Sequence, residues 1–141
     1  MGTEIASLRL VRRGVRRATL QNVVDAVISQ EMQAKQSADL SIDLYLESAS
    51  AEEDPKFDVY ATSQGPAGFH TLWNVGVEYG SLGRAINNAV FHQFRLRDEL
   101  QQLTRIEFYL EARRGYDSPR FNVYVRSEYK PRKVRRWWRR G

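Results

Sequence analysis

Two stretches of the chain carry the same alternation of apolar and polar residues. The segment that begins at Ile42, IDLYLESASAEEDPKFDVYATS, matches the segment that begins at Ile106, IEFYLEARRGYDSPRFNVYVRS, without a gap. In both, two alternating runs flank a stretch rich in Asp, Ser, Gly and Pro. Period-2 alternation is typical of strands with one buried face, and such a stretch is typical of a hairpin tip. Each segment therefore predicts a hairpin with a long tip, one core face and one polar, tyrosine-lined face.

Apolar residues at helical spacing precede each hairpin. One stripe follows Thr19, a candidate N-cap, and the other follows Ser81, with Leu100 and Leu103 as its candidate continuation. With one gap allowed, the sequence match between the two halves extends into these helices, where Val27 aligns with Val90. The two stripes consist of Leu20, Val23, Val24, Val27, Ile28 and Met32, and of Leu82, Ala85, Ile86, Ala89, Val90 and Phe94.

A candidate strand stands ahead of each helix, SLRLV at 7–11 and TLWNVGVEY at 71–79. The order βαββ thus occurs twice, at about 7–65 and about 71–129. This order predicts a single α+β domain with an internal duplication, in which a mostly antiparallel sheet carries two helices on one face. A pseudo-twofold axis would relate the halves, and 130–141 would form a basic tail.

The formal charge of +5 is unevenly distributed. Basic residues number 22 and acidic ones 17, but residues 1–17 carry five arginines against one acid, and residues 130–141 carry seven basic residues and no acid. The residues in between sum to −6. Charge concentrated at chain ends is typical of arms that bind a polyanion, because arginine forks onto phosphate and releases condensed counterions. Ordinary solvated termini are the alternative.

The C-terminal segment KPRKVRRWWRRG joins positive charge to flat aromatic surface. Arginines, which bind phosphate groups, flank tryptophans, which stack on bases. This combination suits RNA or single strands. A segment lying at a membrane interface is an alternative. Trp137 is favoured as a core residue, with a contact to the ligand as the alternative. The expected nucleic-acid-binding residues are Arg12, Arg13, Arg16 and Arg17 near the N-terminus, and Arg132, Lys133, Arg135, Arg136, Trp138, Arg139 and Arg140 in the tail.

Composition excludes several kinds of chemistry. The sequence has no cysteine, and therefore no disulfide, no cysteine-ligated metal and no thiol nucleophile. Its two histidines, His70 in the loop PAGFHTLW and His92 on a helix surface, lack a serine–acid arrangement of a recognised spacing. The acids Glu52, Glu53 and Asp54 fall in a predicted hairpin tip without calcium-ligand spacing. We therefore expect no catalytic residue, no metal site, no cofactor and no enzymatic activity.

Targeting signals are also missing from the sequence. No stretch approaches the roughly 20 consecutive apolar residues of a membrane span, and the N-terminal segment lacks the pattern of a signal peptide. Neither a transmembrane segment nor secretion is expected. The sequence thus predicts a cytoplasmic protein, in a reducing intracellular compartment.

Two short stretches resemble the Alba family of small nucleic-acid-binding proteins. GRAINNAV, at 83–90, resembles the glycine-arginine-alanine-isoleucine helix start of that family, and as in that family it follows a strand. RRATLQNVVDAV, at 16–27, resembles the paired basic residues ahead of the family's first helix. The resemblance implies that Arg16, Arg17 and Arg84 contact the nucleic-acid backbone. It is confined to these two stretches.

Two hypotheses about function follow. The first is a non-enzymatic nucleic-acid-binding protein, with RNA favoured over DNA, that uses arginine-rich terminal arms. The alternative is a structural or assembly subunit of a larger particle or complex, whose hairpin edges and oppositely charged halves contact copies of the chain or other subunits. The halves differ in charge, since residues 18–65 sum to −7 and residues 82–129 to +2.

Overall fold

The computed structural model describes residues 8–35, 43–48, 55–62, 70–96, 101–113 and 119–131. Each helix is preceded by a short 3-10 turn, at Arg17–Thr19 and at Tyr79–Ser81. The elements in chain order are β1 (Arg9–Arg16), α1 (Leu20–Lys35), β2 (Asp43–Ser48), β3 (Lys56–Thr62), β4 (Thr71–Glu78), α2 (Leu82–Arg95), β5 (Gln101–Arg113) and β6 (Arg120–Pro131).

The strands form one six-stranded sheet in the order β1-β3-β2-β5-β6-β4. Every neighbouring pair of strands is antiparallel. The predicted fold class is confirmed, because the molecule is a single α+β domain with two helices and an antiparallel sheet. The two strands that precede the helices, β1 and β4, lie at the two edges of this sheet.

The core lies between the helices and one face of the sheet. Alternate residues of the central strands point to it, as the period-2 pattern requires, and both helices contribute their apolar stripes to the same cluster. Its largest fully buried side chains include Phe57, Phe108 and Phe121 from the sheet, and Leu20, Ile28, Leu82 and Ile86 from the helices. The opposite face carries the tyrosines and most of the charged side chains of the central strands.

The two halves of the sheet meet symmetrically between β2 and β5. Tyr45 lies opposite Tyr109, and Leu44 and Leu46 lie opposite Leu110 and Phe108. The outer pairs β1·β3 and β4·β6 also share one register, with irregularities at the same places. The halves therefore correspond in strand pairing, while their origin by duplication stays a prediction of the sequence.

Each edge strand has an irregularity at a glycine. Gly14 and Gly76 have φ angles of 63° and 66°, a left-handed conformation that only glycine adopts readily. The Gly14 amide donates to Asp58 Oδ1 at 3.0 Å, and the Gly76 amide donates to Asn122 Oδ1 at 3.2 Å. A side chain of the next strand thus holds each irregularity in place.

Several predicted boundaries were wrong. Leu103 belongs to β5 and is buried there, so the second helix does not continue to it. Lys130 lies in β6, so the basic tail begins later than predicted. The helices start at Leu20 and Leu82, which moves their alignment by one residue relative to the predicted one. The Thr19 hydroxyl donates to the carbonyl of Arg16 instead of capping the helix.

The two helices meet at their first turns. The Gly83 amide donates to Gln21 Oε1 at 2.6 Å, and Gln21 Nε2 donates to the carbonyl of Tyr79 at 2.8 Å. A Cβ atom on Gly83 would lie 2.8 Å from Cβ of Gln21 and 3.2 Å from its Cα, so only glycine fits at this contact without a shift.

Gly83→Ala is therefore expected to lower the free energy of unfolding by about 1–2 kcal/mol, because the overpacking outweighs the better helix propensity of alanine. Urea denaturation measures the effect. Gly80→Ala is the matched control, since a Cβ at Gly80 meets nothing within 4 Å. Equal stability of the two variants would contradict the tight contact.

Candidate nucleic-acid interface

Strand β1 presents a row of arginines at one edge of the sheet. Arg12, Arg13 and Arg16 are exposed on it, and Arg17 is half-buried in the 3-10 turn that follows. The prediction that these residues belong to a terminal arm was wrong, because β1 is paired with β3 along its length. The backbone of these arginines is therefore held along one edge of the sheet. We call Arg12, Arg13 and Arg16 the arginine edge.

Local sequence explains why these side chains face solvent. Val11 and Val15 pack against the core, which fixes the position of β1 over its length. The register shifts once between Leu10 and Arg12 and again between Arg12 and Val15, where the left-handed Gly14 lies. Two consecutive arginines, Arg12 and Arg13, thereby remain exposed beside a strand that is otherwise anchored.

Charges near the arginine edge are only partly balanced. Arg9 Nη2 lies 3.8 Å from Glu31 Oε2 of α1, a distant pair in which the Arg9 side chain is 63% exposed and the Glu31 side chain 19% exposed. Within the described part of the chain, no acid forms an ion pair with Arg12, Arg13 or Arg16. The edge therefore keeps most of its positive charge toward solvent.

Arg84 lies on the neighbouring start of α2. Gly83, the residue before it, contacts Gln21 of α1, and Arg16 and Arg17 precede that helix by a few residues. Along the chain, Arg84 therefore directly follows one end of this contact, and Arg17 precedes the other end by four residues. The first turns of both helices add partial positive charge there, which favours an anion. Arg84 is exposed.

The tail residues predicted to bind nucleic acid lie outside the described part of the chain. They are Arg132, Lys133, Arg135, Arg136, Trp138, Arg139 and Arg140. Trp137, the tryptophan predicted to pack in the core, lies outside it too.

The opposite, polar face of the sheet holds a buried ionic cluster that the sequence did not indicate. At its centre is Glu107, whose side chain is only 3% exposed. It pairs with Arg105 and Arg126 and accepts a hydrogen bond from the hydroxyl of Tyr45. Burial alone would raise the pKa of Glu107, but the hydrogen bonds from Tyr45 and Arg105 and the charges of both arginines hold that pKa below its ordinary value.

His70 covers this cluster. Its side chain is 3% exposed, with its ring 6.5 Å from that of Tyr45 and 6.3 Å from that of Tyr109, and Nε2 lies 3.8 Å from Glu107 Oε1. The prediction of an ordinary loop histidine thus missed its burial. His92 is exposed on α2, as predicted. In the described ranges, no group of three or more His, Asp or Glu side chains is placed to hold a metal ion.

Asp43 is the counterpart of Glu107 in the first half, but no arginine pairs with it among the described residues. It accepts hydrogen bonds from the Tyr109 hydroxyl at 3.0 Å and from the Ala112 amide at 2.8 Å. Burial raises the pKa of Asp43 to about 6, although both hydrogen bonds oppose the change. The folded chain therefore binds this proton more tightly than the unfolded chain.

The free energy of unfolding of the Asp43→Asn variant, relative to that of the wild type, is expected to increase as pH rises from about 4 to about 6. Over that range the wild type alone loses about 2 kcal/mol at this site, because ionised Asp43 is penalised only in the folded state. The amide oxygen of asparagine still accepts the hydrogen bond from Ala112. Urea midpoints of both proteins at several pH values measure the difference, and parallel pH curves would contradict the raised pKa.

The comparisons with known proteins give no match. No family model matches the chain, nor does a curated protein or a solved structure. Among the described helices, none is both long enough and apolar enough to cross a membrane.

Proposed function

We propose that this chain is a non-enzymatic nucleic-acid-binding protein, with RNA favoured over DNA. Among the residues that the structure describes, the arginine edge makes the main contact with the nucleic acid. The observation that carries the proposal is that Arg12, Arg13 and Arg16 are exposed, held by their backbone along one edge of the sheet, and without an acidic partner among the described residues. A row of guanidinium groups of this kind fits successive phosphates, each of which it can hold with two hydrogen bonds.

Two further features support the proposal. Arg84 is exposed at the start of α2, directly after Gly83, which contacts Gln21 of α1. The tail beyond β6 supplies six basic residues and Trp138, which joins phosphate binding to base stacking and favours RNA or single strands. A cytoplasmic location belongs to the same proposal, supported by the absence of cysteine.

The absorbance ratio at 260 and 280 nm tests the proposal on the purified full chain. We expect a raised ratio at low salt that falls after a high-salt wash, because phosphate contacts weaken as salt replaces the released counterions. Treatment of the bound fraction with RNase or DNase then identifies the nucleic acid. A protein that carries no nucleic acid, and binds none when RNA is added back at low salt, would refute the proposal.

The alternative function, an assembly subunit, is favoured by a different observation. The second edge strand, β4, exposes Leu72 to 48% and Val75 to 58%, where β1 has Leu10 and Arg13 at the corresponding positions. An edge strand with exposed apolar residues can pair with another chain. Light scattering of the nucleic-acid-free protein separates the two functions, since a monomer at high concentration argues against assembly through copies of this chain.

A further inference from the structure

The outer face of α2 combines cations, an amide and an aromatic ring. Its exposed residues recur about every four positions, which places them along one side of the helix. The helix sequence LGRAINNAVFHQFR contains no Asp or Glu. The exposed residues are Arg84, Asn88, Phe91, His92 and Arg95, with Leu96 just beyond the helix end.

The corresponding face of α1 has a different chemistry. Because the helices start at Leu20 and Leu82, each position of α2 has a counterpart in α1. The face of α1 is neutral and has no aromatic ring, although the two helices pack on the sheet in the same way. The counterparts of the exposed α2 residues are Asn22, Ala26, Ser29, Gln30 and Gln33. The difference between the faces is therefore not required by the fold.

Phe91 is the clearest feature of this face. It is 64% exposed, the largest exposure among the large hydrophobic residues of the described chain. The core side of α2 is filled by Ile86, Ala89 and Val90, and most of the Phe91 side chain lies outside the core. Its neighbour His92 contacts Trp73 of β4, with ring centroids 5.0 Å apart. An exposed ring between cations is the arrangement that binds unpaired bases.

We propose that the outer face of α2 is a binding site for single-stranded nucleic acid, in which Phe91 stacks on an unpaired base while Arg84 and Arg95 hold phosphates. The inference rests on the proposed function and extends it to a second surface. At a rise of about 1.5 Å per residue, Arg84 and Arg95 are separated by about 16 Å along the helix, with Phe91 between them. Positive charge without a nearby acid on this helix favours a polyanion over an apolar protein partner.

The start of α2 is joined to the end of β1 by one contact. Arg84 directly follows Gly83, whose amide donates to Gln21 of α1, and Gln21 follows Arg16, the last residue of β1, by five residues. A strand bound at the edge can therefore continue along α2. Stacking on Phe91 requires a base that is not already stacked in a duplex, so the site selects single strands.

The test measures fluorescence anisotropy of a labelled oligouridine and of a labelled RNA duplex with the full chain. Phe91→Ser, which copies Ser29 of α1, is expected to weaken oligouridine binding about 5- to 100-fold and to leave duplex binding nearly unchanged. Phe91→Trp should bind oligouridine as the wild type does. Phe91→Leu should behave as Phe91→Ser, because it keeps an apolar surface and loses the stacking ring. Leu72→Ser is the control for removing an exposed apolar side chain elsewhere.

The outcomes separate this site from the proposed function. Normal binding by Phe91→Ser or Phe91→Leu, together with weakened binding when the arginine edge is neutralised, would overturn the α2 site and leave the proposed function standing. No binding of either RNA by the wild type would overturn both. A wild-type dimer that Phe91→Ser dissociates, without any RNA binding, would assign this face to a protein contact and also overturn the proposal.

Discussion

Replacing Arg12, Arg13 and Arg16 by glutamine is expected to weaken the binding of single-stranded RNA about 100-fold at about 0.1 M salt. Each phosphate contact to a single strand contributes about 5-fold in affinity at this salt concentration, and the three contacts are lost together. Fluorescence anisotropy with a labelled oligouridine measures the change. The fold should survive, because these side chains are exposed and the strand is anchored by Val11 and Val15.

The opposite edge of the sheet supplies a control with the same change in net charge. The variant Thr71→Glu, Asn74→Glu and Val75→Glu also lowers the charge by three, at exposed positions of β4 that correspond to residues of β1. Because β4 also contacts α2 through Trp73 and His92, the two variants are compared on the labelled RNA duplex, whose binding does not depend on Phe91. The β4 variant should change duplex affinity only a few-fold, because salt screens charges more than about 10 Å away. Equal losses in the two variants would mean that net charge alone, and not the arginine edge, determines binding.

Glu107→Gln is expected to lower the free energy of unfolding by about 2–4 kcal/mol. Removing one partner of a buried ion pair usually costs about 3–5 kcal/mol, because the other charge stays behind. Here Arg105 and Arg126 keep 32% and 29% of their side chains exposed, which reduces the cost. Thermal unfolding should shift down by roughly 5–15 °C for a domain of this size.

Glu78→Gln is the matched control for this prediction. Glu78 also pairs with an arginine, Arg120, at 3.1 Å, but its side chain is 57% exposed. Exposed pairs contribute about 0–1 kcal/mol, so this variant should unfold close to the wild type. If both substitutions lowered the free energy of unfolding equally, burial of Glu107 would not be the cause of its contribution to stability.

The sequence predicted the elements well and their lateral arrangement poorly. Period-2 alternation around Phe57 and Phe121 predicted the hairpins, and helical spacing around Leu20 and Leu82 predicted the helices, because both patterns are local. Pairing of Tyr45 with Tyr109 joins residues from different hairpins, and no local pattern encodes it. For the same reason the alternation placed Glu107 on the polar face without showing that this part of the face is buried.

The sequence predicted which arginines belong to the candidate site, but it did not predict their arrangement on a sheet edge. The number of arginines near the N-terminus indicated a polyanion partner, but Arg12 and Arg13 interrupt the alternation of β1 around Gly14, so the strand looked shorter than it is. Phe91 escaped notice because an apolar residue in a helix suggests packing, and only the structure places it on the solvent side. The predicted alignment, in which Val27 matches Val90, also paired Phe91 with Ile28, a core residue; only the helix starts in the structure pair Phe91 with the exposed Ser29.

The salt dependence of affinity tests the central claim, that the arginine edge binds nucleic-acid phosphates, most directly. The measurement is the slope of log K against log salt concentration for a labelled oligouridine, taken for the wild type and for the variant that replaces Arg12, Arg13 and Arg16 by glutamine. Three lost phosphate contacts predict a slope shallower by about 2 in the variant. Identical slopes would contradict the claim, whatever the affinities at a single salt concentration.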